Sequence, residues 1–279
     1  MSRVRKPIPV LILSILAATS LAHATQVTIQ AQVDASVPGV PRSDIQGPAT
    51  SGQLLATVLM PEAQSLDGLG PAFGRAAQND AGVGAVAAEV KCAANGAGIA
   101  TSHTTWTGTA TNNSNVLGEF IYQFYIEAPK LALVDPSGTS EAAATATYEV
   151  TVKLGGQTIF SSQATLRGGR FGHTLKESGT DLGGVFFGTP GSTPFGYGFA
   201  PYQGILSLGF YQPGQSVTVE SSLRAVATAV NVTTGARAEV GDPLDLGTEP
   251  GIYGTITLGE PLAVEPSSWG AVKEMYRGR

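Results

Sequence analysis

The sequence predicts an all-β protein, an antiparallel β-sandwich of jelly-roll or immunoglobulin-like type, following a cleaved N-terminal signal peptide. Three observations carry this. Glycine and proline make up 53 of the 279 residues (36 and 17) and break the chain at short intervals. Between the breaks, apolar and polar residues alternate with period two, the spacing of a strand with one core face and one wet face. A parallel α/β sheet would need repeated helices of about ten residues or more, and no such helical runs are written here. Many short strands separated by Gly/Pro turns indicate a sandwich or barrel.

The chain opens with Arg3, Arg5 and Lys6, then an apolar stretch from Ile8 to Ala18 broken only by Pro9 and Ser14. It ends in Ala22-His23-Ala24, the small-x-small pattern of signal cleavage. A membrane-spanning helix needs about 20 apolar residues, so the stretch reads as a removed leader rather than an anchor. The expected organisation is a signal peptide over 1–24, one sandwich domain over 25–262 and a short tail over 263–279.

Removing the first 24 of 279 residues leaves 255, ample for a buried core. Cleavage would also remove three of the 16 basic residues, leaving 13 against 21 acidic ones and a net charge of about −8. Nucleic acid and anionic lipid both demand clustered Lys and Arg, so neither is an expected partner. The single cysteine, Cys92, excludes an internal disulfide and reads as a small buried residue. The sequons at Asn112 and Asn231 carry little information.

The clearest strand is 144–154. Ala144, Ala146, Tyr148, Val150, Val152 and Leu154 alternate with Thr145, Thr147, Glu149, Thr151 and Lys153. Gly155-Gly156 then supplies the positive φ angles of a two-residue hairpin into 157–161. Residues 120–126 place Phe120, Tyr122, Phe124 and Ile126 on one face, with Ile121 and Tyr125 on the other, and read as covered on both sides. The Gln212-Pro213-Gly214 turn precedes a strand over 215–220. A further strand over 224–232 has Val226, Val230 and Val232 in register. Residues 252–258 set Ile252, Gly254, Ile256 and Leu258 against Tyr253, Thr255 and Thr257. Weaker strands are expected at 26–33, 53–60, 85–91, 102–109, 171–175 and 205–210. Residues 35–52 and 179–204 read as long loops, the second rich in glycine and rings.

Catalytic signatures are sparse. There is no Gly-x-Ser-x-Gly elbow. His103 and His173, the two histidines beyond the leader, sit in no recognisable motif and read as strand residues. A glycosidase needs two carboxylates about 5–10 Å apart. Glu119, Glu127, Glu149 and Glu220 are candidates, although strand acids ordinarily face water. Asp242, Asp245 and Glu249 form a weak oxygen-rich calcium candidate. No other metal site and no cofactor is expected. Trp106, Tyr197 and Tyr202 are the candidate ligand contacts.

From Tyr148 onward the chain carries three features together: the strand-turn-strand 148–160, the run Pro213-Gly-Gln-Ser-Val-Thr-Val-Glu220, and Gly241-Asp-Pro-Leu244. Its tail contains Glu265, Pro266 and Trp269 in Val-Glu-Pro-Ser-Ser-Trp. In these features the C-terminal half resembles the exported β-rich bacterial proteins that bear a PEP-CTERM sorting tail. The resemblance implies a secreted protein, extracellular or periplasmic, in a Gram-negative bacterium. That tail ordinarily continues into a membrane-spanning helix and an arginine cluster. Here ten residues follow Trp269, four of them charged, and release without stable membrane insertion is the expectation. The functional expectation is a non-catalytic protein of the envelope or extracellular matrix that acts through surface binding or assembly. Its partners would be extracellular polysaccharide or other envelope proteins. The alternative is a secreted glycan-active hydrolase with an unrecognised carboxylate pair.

Overall fold

The computed structural model describes residues 23–37, 40–49, 52–58, 69–77, 83–91, 97–134, 143–169, 172–189, 195–230, 235–241 and 251–259. Seventeen strands occupy them. The first eight are β1 (His23–Val37), β2 (Val40–Ala49), β3 (Gly52–Val58), β4 (Leu69–Ala77), β5 (Val83–Lys91), β6 (Ala97–Thr111), β7 (Gly118–Ile126) and β8 (Lys130–Val134). Next come β9 (Ala143–Leu154), β10 (Gln157–Gly169), β11 (Gly172–Gly179), β12 (Gly184–Phe187) and β13 (Phe195–Phe199). The last four are β14 (Tyr202–Tyr211), β15 (Ser216–Val230), β16 (Gly235–Val240) and β17 (Ile252–Leu258). They form a seven-stranded sheet, β11-β10-β9-β15-β6-β1-β2, and a ten-stranded sheet, β12-β13-β8-β16-β5-β17-β7-β14, with the β3–β4 pair joined at β5. The pairings are antiparallel, and the protein is a β-sandwich.

Alternation in the sequence becomes the two faces of each sheet. On β6 the even positions from Ala100 to Ala110 are buried and the odd ones, mostly threonine, face outward. On β9 the residues from Ala144 to Val152 behave the same way. The Gly155-Gly156 hairpin forms as expected, with φ of 56° and 84°. At the β14–β15 turn Gly214 has φ 79°, and Gln215 N donates to Gln212 O at 3.0 Å.

The core divides into two zones. At one end rings from both sheets interdigitate in a file. Trp106 meets Tyr122 at 6.4 Å between centroids, Tyr122 meets Phe124 at 5.3 Å, Phe124 meets Phe160 at 4.9 Å, and Phe160 meets Tyr202 at 5.2 Å. Buried phenols tie polar atoms into this apolar space. Tyr122 OH shares a hydrogen bond with Ser221 Oγ across the sandwich at 2.7 Å, and burial pushes its pKa up to about 12. At the other end Ala144, Ala146, Ala225, Ala227, Ala229, Ala236 and Ala238 fill the space between the sheets.

That alanine zone corrects one expectation. Val226 lies half-buried on the outer face and Val230 is exposed there, while Ala225, Ala227 and Ala229 point inward. The strands expected at 215–220 and 224–232 are one continuous strand, β15, and its phase follows the small residues. Both expected loops are also corrected. Residues 35–52 contain the end of β1 and all of β2, and residues 179–204 contain β12 and β13. In β13 glycines alternate with rings. The space a β-carbon on Gly196 would take is filled by the Phe187 ring, so the glycines let rings pack over the backbone. The faces of 120–126 and 252–258 are as expected, except that Leu258 is only half-buried and Gln123 opens the outer side of β7 to solvent.

His173 sits on the inner side of edge strand β11, with its ring centroid 4.1 Å from that of Phe195. Burial lowers its pKa, and burial followed by the Arg224 charge lowers that of His103. The unfolded chain therefore takes up these protons first as the pH falls. Their contribution to stability is whole above about pH 6.5 and declines as the pH drops from there toward the lowered folded values. In His173→Phe the fall in urea midpoint between neutral and mildly acidic pH is expected to be smaller than in the parent. An unchanged fall would show that His173 stays solvated.

Candidate functional site

The outer faces of the two sheets differ in how their polar groups are used. On the seven-stranded sheet, threonines, serines and ion pairs satisfy one another across strands. Thr109 and Thr218 share a hydrogen bond at 2.9 Å, Thr111 and Ser216 one at 2.8 Å, and Thr147 and Thr165 one at 3.0 Å. Lys153 Nζ donates to Glu220 Oε1 at 2.8 Å, and Arg224 lies 3.9 Å from Glu149. Exposed pairs of this kind add little stability, but they occupy the hydroxyls and charges that a ligand would need.

The outer face of β17-β7-β14 is different. Its register sets Tyr253 beside Tyr125 beside Gln203, then Thr255 beside Gln123 beside Ile205, then Thr257 beside Ile121 beside Ser207. The Tyr125 and Tyr253 rings stack at 5.2 Å with planes 28° apart. Tyr253 is 41% exposed, Ile205 66% and Phe210 57%. Gln123, Gln203 and Thr255 are exposed among them. At the end of the row Tyr125 OH donates to Glu127 Oε2 at 3.4 Å. Partial burial and the adjacent Glu127 charge raise the Tyr125 pKa, so the phenol stays protonated and donating. The result is a flat platform of two rings and an aliphatic side chain, edged by amides, a hydroxyl and a carboxylate.

The residues expected to contact ligand lie elsewhere. Trp106 is 3% exposed and belongs to the core, because Gly108 leaves its ring room to lie over the strand. Tyr202 is half-buried and packs on Phe160 and Phe124. Tyr197 on β13 is half-buried against Phe199 of the same strand and Phe186 of β12. Asp242, Asp245, Glu249, Glu265, Pro266, Trp269, Cys92 and Ala22 lie outside the described residues; Ala24 pairs with Gly108 on β1. Tyr125 and Tyr253 were legible only as the second faces of two good strands, and nothing in the sequence signals that they pair.

The four candidate acids do not converge. Glu149 and Glu220 face cations on one sheet, while Glu119 and Glu127 lie at opposite ends of β7 on the other. Glu119 accepts a hydrogen bond from Ser207. His103 Nε2 lies 2.8 Å from Ser222 Oγ and 3.2 Å from Thr105 Oγ1. This is one contact of a Ser-His-acid arrangement, but the neighbouring acids are engaged by Arg224 and Lys153. No protein-family model and no curated protein matches the chain.

Proposed function

We propose that the protein is exported to the bacterial envelope or extracellular matrix and acts without catalysis, binding extracellular polysaccharide through the outer face of β17-β7-β14. The observation that carries this is the stacked Tyr125–Tyr253 pair on the outer face, with Tyr253 exposed, Tyr125 half-buried beside it and exposed amides flanking both. Aromatic rings cover the C–H faces of pyranose rings, while Gln and Thr side chains both donate to and accept from sugar hydroxyls.

Affinity electrophoresis through gels containing soluble polysaccharides tests the reading. Tyr253→Ala or Tyr125→Ala is expected to weaken retardation about tenfold, with the unfolding midpoint almost unchanged in Tyr253→Ala, whose ring is exposed. Retardation equal to that of the parent in both variants would reject it.

The competing reading is a secreted hydrolase, and the His103–Ser222 contact is the observation in its favour. It requires turnover of an ester or glycoside substrate that Ser222→Ala abolishes and Tyr253→Ala leaves intact.

A further inference from the structure

Every open sheet must deal with its edges, because an edge strand presents a row of unpaired N–H and C=O groups to any extended chain. The seven-stranded sheet protects both of its edges. β2 contains Pro41, Arg42, Asp44 and Pro48, and β11 contains Lys176 and Glu177. In the ten-stranded sheet β3 runs alongside β1 and β2. The other two edges, β12 and β14, contain neither a charged residue nor a proline. β12 has four residues. β14 has ten, Tyr202 to Tyr211, and among the described residues its backbone ladder runs to β7 alone. It also carries Ile205 and Phe210 on its outer face, 66% and 57% exposed.

We propose that β14 is an assembly edge that pairs, antiparallel, with β14 of a second copy of this chain, joining two ten-stranded sheets into one. A row of backbone donors and acceptors at strand spacing is matched by another strand, so an extended segment is the occupant that the chemistry selects. The strand's own copy fits best. With no charge along its length, β14 meets itself without like-charge opposition, and antiparallel self-pairing closes under a two-fold axis. The bulge between Ser207 and Gly209, where Gly209 has φ 95°, bends the second half of the strand and leaves Tyr202–Ser207 as the straight pairing stretch. Association then stops at two copies, since the remaining unprotected edge among the described residues, β12, is short.

The two-fold axis of an antiparallel pair stands perpendicular to the sheet, so both copies show the same face on the same side. Across three strand spacings of about 4.8 Å, the two Tyr125 residues would stand about 14 Å apart in the direction across the strands. Dimerisation does not depend on what that face binds.

Sedimentation velocity over a wide concentration range, paired with amide hydrogen exchange, tests the proposal. The expected result is a monomer–dimer equilibrium, with exchange at Tyr202–Ser207 slowing as the dimer forms. Ile205→Lys places a charge on the exposed face of the edge and is expected to weaken the dimer at least about tenfold. A monomer at all concentrations would overturn the proposal. So would a dimer of unchanged affinity in Ile205→Lys, or one whose slowed amides lie on β12 instead of β14. Should Ile205→Lys fail to fold, the exchange measurement on the parent decides alone.

Discussion

Asn112→Asp is expected to lower stability by about 3–5 kcal/mol, seen as a fall in the urea midpoint at constant m-value. Asn112 immediately follows β6 and is fully buried, with hydrogen bonds from both ends of its amide and from its backbone. Its Nδ2 donates to Val116 O at 2.9 Å and to Tyr211 O at 2.7 Å. Its Oδ1 accepts from Ser114 N at 3.0 Å and from Ser114 Oγ at 2.6 Å. The backbone adds Asn112 N to Gln215 O at 2.9 Å and Gly214 N to Asn112 O at 2.8 Å. One side chain thus holds the β6–β7 connection against the β14–β15 turn. A carboxylate of the same shape keeps the acceptor half but turns its other oxygen toward two carbonyls that have lost their donor. Each such group costs about 1–3 kcal/mol, and the buried charge adds to it. Asn112→Ala is expected to cost nearly as much by leaving both sides unpaired. A loss below about 1 kcal/mol would show that water replaces the amide. The same burial removes the Asn112 sequon as an accessible glycan acceptor; Asn231 lies outside the described residues.

Tyr122→Ala is expected to cost about 3–5 kcal/mol by opening the middle of the ring file. The ring is fully buried between Trp106 and Phe124, and its hydroxyl is a polar link between the sheets. Gly254 lies directly beneath it on β17, and a β-carbon there would overlap Tyr122 Oη. Gly254→Ala alone is therefore expected to cost about 1–3 kcal/mol as overpacking. Combining the two changes gives a sharper measurement, since the new methyl enters the space the ring vacates. The double variant is expected to fall short of the sum of the single losses by about 1 kcal/mol or more. Simple additivity would mean that Gly254 accommodates a side chain by backbone movement.

These two positions also show what the sequence discloses and what it hides. Residues 120–126 and 144–154 announce their strands and core faces because large apolar residues alternate with polar ones over a whole strand. The second half of β15 does not, because its inward residues there are Ala225, Ala227 and Ala229 and its outward ones include Val226 and Val230. Only the facing β16 alanines, Ala236 and Ala238, show that little space is left between the sheets there. The edge strand β2 reads as loop because proline and charge are what edges tolerate. Trp106 reads as a surface ring until Gly108 is seen to receive it. The candidate site is the least legible part. Tyr125 and Tyr253 lie on strands far apart in the chain, and their pairing is a property of sheet order, which periodicity does not encode.

The central claim is that the outer face of β17-β7-β14 is the working surface. Chemical-shift mapping of the labelled protein titrated with soluble polysaccharides tests it most directly. Saturable perturbations centred on Gln123, Tyr125, Gln203 and Tyr253 are the expected result. Perturbations centred on His103, Ser222 and Arg224 of the opposite sheet, or binding that persists undiminished in Tyr125→Ala, would contradict it.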